Sequence, residues 1–188
     1  LKQHIEDALV LAYGVVTEPQ KNIAAITEKQ QLCEGLIIWA GTILLSVISV
    51  FSQWEKASML TLIALYGGAA LFFLFRILFL HGTSRMLGGE GSLKGIASGL
   101  CFADIPANLA TLAESFVFIL PAQLVYLISF AVMIWSFALA VMAVRSNYGL
   151  STGRCIAAII LPAVLFIGVI VILFVYVAVS IASVFEGF

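Results

Sequence analysis

The chain has 188 residues, 63% of them hydrophobic and 10% charged, with a mean hydropathy of +1.16. Soluble domains average about 45–50% apolar and about 25% charged residues, so this composition excludes an ordinary water-soluble globule and specifies an integral membrane protein. Nine basic and ten acidic residues give a formal net charge of −1, which leaves no basic stripe for nucleic acid.

Residues 1–31 form a polar lead-in with seven charges and no long apolar core, so no signal peptide is expected within them. The stretch LKQHIEDALVLAYGVV places Ile5, Ala8, Leu9, Ala12 and Val16 at spacings of three and four, which predicts an amphipathic helix. TEPQKNIAAITEK restarts the pattern, with Thr17 able to cap, Pro19 in the first turn, and Ile23 and Ile26 on one face. This region reads as cytoplasmic amphipathic helices that lie on the membrane surface or pack beneath a bundle. A weakly helical, solvated tail is the alternative.

Residues 32–188 read as a five-helix transmembrane domain, so the expected fold is all-α and polytopic. A bilayer core needs roughly 20 apolar residues per helix. Five segments meet this need: 32–54, 57–80, 93–120, 122–144 and 155–184. Lys2, Lys21, Lys29, Arg85, Lys94, Arg145 and Arg154 fall on one side of this arrangement, and Arg76 could snorkel toward them. Lys56 stands alone on the other. The bias predicts a cell-membrane protein with its N-terminus cytoplasmic and its C-terminus outside. Trp54 and Tyr148, at span ends, suit an aromatic belt. Gly67 and Gly68, with Ala64, Ala69 and Ala70, suit close helix packing, and Pro162 is a helix break within the fifth span.

The third span is the weakest. Ile96 to Ile119 contains ten Leu, Ile, Phe and Val residues, together worth roughly −3 to −6 kcal/mol for insertion, and one central Asp offsets about 2.5–3.5 kcal/mol of that. Asp104 is that residue, and Pro106, Asn108 and Glu114 weaken the span further. The segment therefore belongs inside the bundle. At 100° per residue, Asp104, Asn108, Thr111 and Ser115 share a stripe, with Cys101 beside it and Glu114 at its margin. Pro106 breaks the helix and frees the carbonyl of Phe102. Such a stripe could carry a proton or cation, with Asp104 titrating and Asn108 as its partner. It could equally bind neighbouring helices and fix their packing.

Other chemistry finds no support. The three cysteines, Cys33, Cys101 and Cys155, form no CxxC pair, and neither His4 nor His81 has ligand-like spacing around it, so no metal site or cofactor is expected. RMLGGEGSLKGIA fits neither GxxxxGK[ST] nor GxGxxG, and reads as a glycine turn entering a helix capped by Ser92. Neither GxSxG nor HExxH occurs, so no catalytic residues are assigned and no enzyme activity is expected.

TEPQKNIAAITEK, the MLGGEGSLKG loop, ADIPANL and NYGLSTGRCIAAIILP, in that order, resemble the Yip1 domain family. The matching positions are Pro19, Gly88, Gly89, Gly91, Pro106, Gly149, Leu150, Ser151 and Thr152. The resemblance implies five spans behind an amphipathic lead-in and a non-enzymatic role in membrane traffic or export. Residues 1–31 do not resemble the long cytosolic head of eukaryotic members, so Rab binding is not carried over, and a short-headed domain like that of prokaryotic members is expected. The expected partners are the lipid bilayer and other membrane proteins, such as transport or export machinery, with a homo-oligomer left open. The expected role is that of a membrane-embedded adaptor or organising factor. The alternative is a channel or transporter for protons, ions or small solutes running past Asp104.

Overall fold

The computed structural model describes residues 2–53, 59–114 and 121–186, with side-chain surroundings described for 2–45, 60–110 and 121–176. Among the described residues eight helices follow one another: α1 (Lys2–Thr17), α2 (Pro19–Lys29), α3 (Leu32–Gln53), α4 (Met59–Met86), α5 (Leu93–Ala103), α6 (Ile105–Glu114), α7 (Ala122–Tyr148) and α8 (Thr152–Glu186). Among the described residues, three are long and apolar enough to cross a membrane, at Leu60–Met86, Ala122–Tyr148 and Thr152–Tyr176. The described part of α3, Leu32–Leu45, is apolar but shorter. The expected ends shift accordingly: α4 runs on through His81–Met86, where a loop was expected, and α7 continues to Tyr148.

The molecule is organised around α5. Every residue from Gly95 to Ala103 is buried, because α2, α3, α4 and α7 all pack against this one short helix. Among helices in lipid there is little hydrophobic drive toward association, so small residues that admit close backbones matter most. Gly99 illustrates this. A Cβ there would stand 2.7 Å from Thr27 Cγ2 and 2.8 Å from Ala143 Cβ. On the opposite side Gly35 of α3 approaches Cys101, where a Cβ would lie 3.0 Å from the cysteine's own.

The lead-in belongs to this core. Ile23, Ile26 and Thr27 of α2 are buried against α5 and α7, and Ala8 and Val15 of α1 are buried toward α2 and α3. The corner between α1 and α2 is closed by Asn22, whose amide nitrogen donates to the carbonyls of Gly14 (2.8 Å) and Glu18 (2.9 Å). Thr17 does not cap α2. Its hydroxyl donates backward to Tyr13 and Gly14, and Glu18 occupies the cap position without a side-chain bond. Pro19 stands at the start of α2, where its missing N–H costs no helical bond.

The expected single third helix is two. Asp104 lies at the junction of α5 and α6 with φ −85° and ψ −7°. Pro106 cannot donate to Phe102, and the next amide, that of Ala107, is held by the Ser136 hydroxyl of α7 at 3.0 Å. A side chain from a neighbouring helix thus satisfies a donor that the break would leave bare in the membrane. By contrast α8 continues through Pro162 as one helix. Its 35 residues span about 52 Å at 1.5 Å per residue, well beyond the roughly 30 Å hydrocarbon core.

Candidate functional site

Two polar clusters stand out in the described residues: one deep in the bundle, one at the end that carries the connections 87–92 and 149–151.

The deep cluster centres on Asp104. Nη1 of Arg76 on α4 donates to both of its carboxylate oxygens, at 2.8 and 2.7 Å. The side chains are 33% and 15% exposed respectively. Arg76 is three residues from the midpoint of Leu60–Met86, about 4.5 Å along the axis at 1.5 Å per residue. It does not snorkel to the helix end. It turns inward on the buried stripe of α4 formed by Phe73, Ile77 and Leu80, with Phe73 stacked on Trp39 of α3 at 4.8 Å between ring centroids.

Asn108 takes a different partner from the expected one. Its amide nitrogen donates to Thr42 Oγ1 of α3 at 2.9 Å, while its link to Asp104 is only the backbone bond from its N–H to the Asp104 carbonyl. Asp104 and Asn108 therefore reach in different directions, one to α4 and one to α3. Cys101 is buried beside Gly35. Thr111 and Glu114 fall in α6 but outside the described side chains, and Ser115 lies outside the described residues. Trp54 and Lys56 lie outside them too.

The second cluster joins the loop end. Ser92 caps α5, accepting from the Gly95 N–H at 2.9 Å, and the Asn147 amide of α7 donates to the Ser92 carbonyl at 2.8 Å. Tyr148 is buried rather than belted in the interface, and its hydroxyl pairs with His81 Nδ1 at 2.7 Å. Thr27 and Ser146 hydroxyls meet at 2.9 Å, tying α2 to the same corner. Gly89 packs on the Tyr148 ring and on the Ser84 carbonyl, so only a residue without Cβ fits. The chain leaves α7 through Gly149 at φ +66°, a left-handed cap, and Gly88 has φ +89°. Leu150 is buried, and its carbonyl accepts from the Cys155 thiol, itself fully buried. Ser151 accepts the Cys155 N–H, and Thr152 begins α8. Gly89 and Gly91 thus pack on Tyr148, beside the turn by which Gly149 leads out of α7.

A Yip1 domain family model matches residues 13–175. The chain belongs to the Yip1 domain family. The match begins near the end of α1 and ends within α8, so this Yip1 domain takes in α2 and the last residues of α1. No curated protein and no solved structure matches the chain.

Sequence reasoning missed two features. Arg76 was assigned to the helix end, although its distance from Met86 nearly equals that of Asp104 from Leu93, which places both at the same depth. The Gly95-Ile96-Ala97-Ser98-Gly99 spacing is a small-xxx-small pattern that marks the tightest face of α5. Conversely, the Gly67–Gly68 surface of α4 meets nothing within 4 Å of an added Cβ. Among the described residues no group of His, Cys, Asp and Glu could hold a metal ion.

Proposed function

We propose that this Yip1 domain is a non-enzymatic, membrane-embedded adaptor or organising factor for membrane traffic or export machinery, working through helix contacts in the bilayer. The observation that carries this reading is the cross-helix pairing of the polar groups around Asp104. Both carboxylate oxygens of Asp104 accept from Arg76, Asn108 donates to Thr42, and the Ala107 amide donates to Ser136. Groups satisfied across helix interfaces specify packing, whereas a conducting path needs polar groups turned toward water. The outward faces of α4, α7 and α8 are apolar, as a surface offered to lipid and to other membrane proteins should be.

Five spans remain the reading that fits the family, with α3 and the α5–α6 pair completing the three long helices. With Arg76 drawn inward, Lys2, Lys21, Lys29, Arg85, Lys94, Arg145 and Arg154 still stand against Lys56. That asymmetry supports a cytoplasmic N-terminus and an external C-terminus in the cell membrane.

Purified protein in sealed liposomes decides between this role and a proton, ion or small-solute pathway. The adaptor reading expects no flux above that of protein-free vesicles. Flux abolished by Asp104→Asn would establish the pathway in its place.

A further inference from the structure

Among the described residues, the ion pair engages only one of the three guanidinium nitrogens of Arg76. Arginine carries five N–H donors in a planar fork. Here both bonds to Asp104 come from Nη1 alone, instead of from two nitrogens side by side. A third of the Arg76 side chain is on the surface, flanked one turn away on α4 by Phe72 and Phe79, which are 72% and 44% exposed. In hydrocarbon an unsatisfied N–H costs several kcal/mol. The surrounding side chains on α4 are aromatic and apolar, which suits a dry contact.

The charge balance fixes what can sit there. Arg76 and Asp104 already sum to zero, so a second carboxylate would leave a net charge at mid-depth. A neutral acceptor would not.

We propose that the exposed edge of the Arg76 guanidinium, framed by Phe72 and Phe79, is a docking point for a transmembrane helix of a partner protein bearing a neutral hydrogen-bond acceptor at mid-depth, an Asn or Gln side chain. The proposal rests on the adaptor reading and gives its partner a chemistry. Phe72 and Phe79 supply the apolar contact. The Arg76 Nε and Nη2 groups supply the discrimination, since a partner helix of leucine alone leaves them unmet.

The full chain, labelled with a donor fluorophore at the exposed Cys33, is reconstituted in phosphatidylcholine vesicles. Acceptor-labelled polyleucine transmembrane peptides carry Asn, Gln or Leu at the central position. Energy transfer is expected to show about fivefold tighter association of the Asn and Gln peptides than of the all-Leu peptide. The preference should vanish in the Arg76→Leu/Asp104→Leu double variant, which removes both charges together. Equal association of all three peptides with the unmodified chain, a comparison that needs no variant, overturns the proposal. So does an Asn preference that survives in the double variant. Rapid reaction of Phe72→Cys, in a Cys33→Ser background, with a membrane-impermeant thiol reagent would show water filling the site and would overturn it as well. Failure of the peptide preference without solute flux sinks this docking point and leaves the adaptor reading standing; flux sinks the adaptor reading itself.

Discussion

Helices α5 and α8 are both apolar, yet their surroundings are opposite. α5 has 11 residues and is buried from Gly95 to Ala103, while α8 has 35 and is exposed at nearly every side chain from Val164 to Tyr176. The difference lies in residue size. α5 carries Gly95, Ala97, Ser98, Gly99 and Ala103, which let four helices close around it, whereas α8 carries bulky Val, Ile, Leu and Phe that suit acyl chains. In this protein hydrophobicity says which segments enter the membrane, and side-chain volume says which of them the fold is built on.

Substitutions that exchange the two environments should separate them. The largest effect is expected at the charged end of the core. Asp104→Leu leaves the Arg76 guanidinium uncompensated and should lower stability by about 3–5 kcal/mol, measured as a shift of the unfolding midpoint in mild detergent. Gly99→Leu comes next. The new side chain meets Thr27 and Ala143, and a loss of about 1–3 kcal/mol is expected, with α2 becoming more susceptible to protease. Ser92→Ala removes the cap of α5 and should cost about 1 kcal/mol, detected as faster amide exchange at Gly95. Gly68→Leu on the open face of α4 should lose nothing and gain up to about 0.8 kcal/mol from helix propensity. If Gly68→Leu proved as damaging as Gly99→Leu, the contrast between core and outer helices would fail.

Much of this was legible in the sequence, for physical reasons. Composition and run length place α4, α7 and α8, because a bilayer demands long apolar helices whatever their neighbours. The insertion balance pointed to the third segment as the one sheltered by the rest; its first half, α5, is buried from Gly95 to Ala103, while Leu109 of α6 is exposed. Asp104 and Pro106 marked the place where that helix breaks. Pairing was less legible. Asn108 shares a stripe with Asp104 on an unbroken helix, but the junction between α5 and α6 redirects it to Thr42. Tyr148 looked like an interfacial aromatic because its burial depends on Gly89 and His81, both far from it in sequence. The Yip1 motif residues could be recognised before their purpose was visible. Gly89 and Gly91 fit one loop against the end of α7, and Gly88 and Gly149 supply the left-handed turns.

The account turns on whether Arg76 and Asp104 act as one ion pair at depth. A double-mutant cycle measures this directly, comparing the unfolding free energies of Arg76→Leu, Asp104→Leu and the double variant in the same lipid–detergent mixture. The paired account predicts that each single variant is severely destabilised and that the double variant recovers about 2–3 kcal/mol relative to their sum. Losses that add to within about 0.5 kcal/mol would mean that the two charges do not meet, and would contradict it.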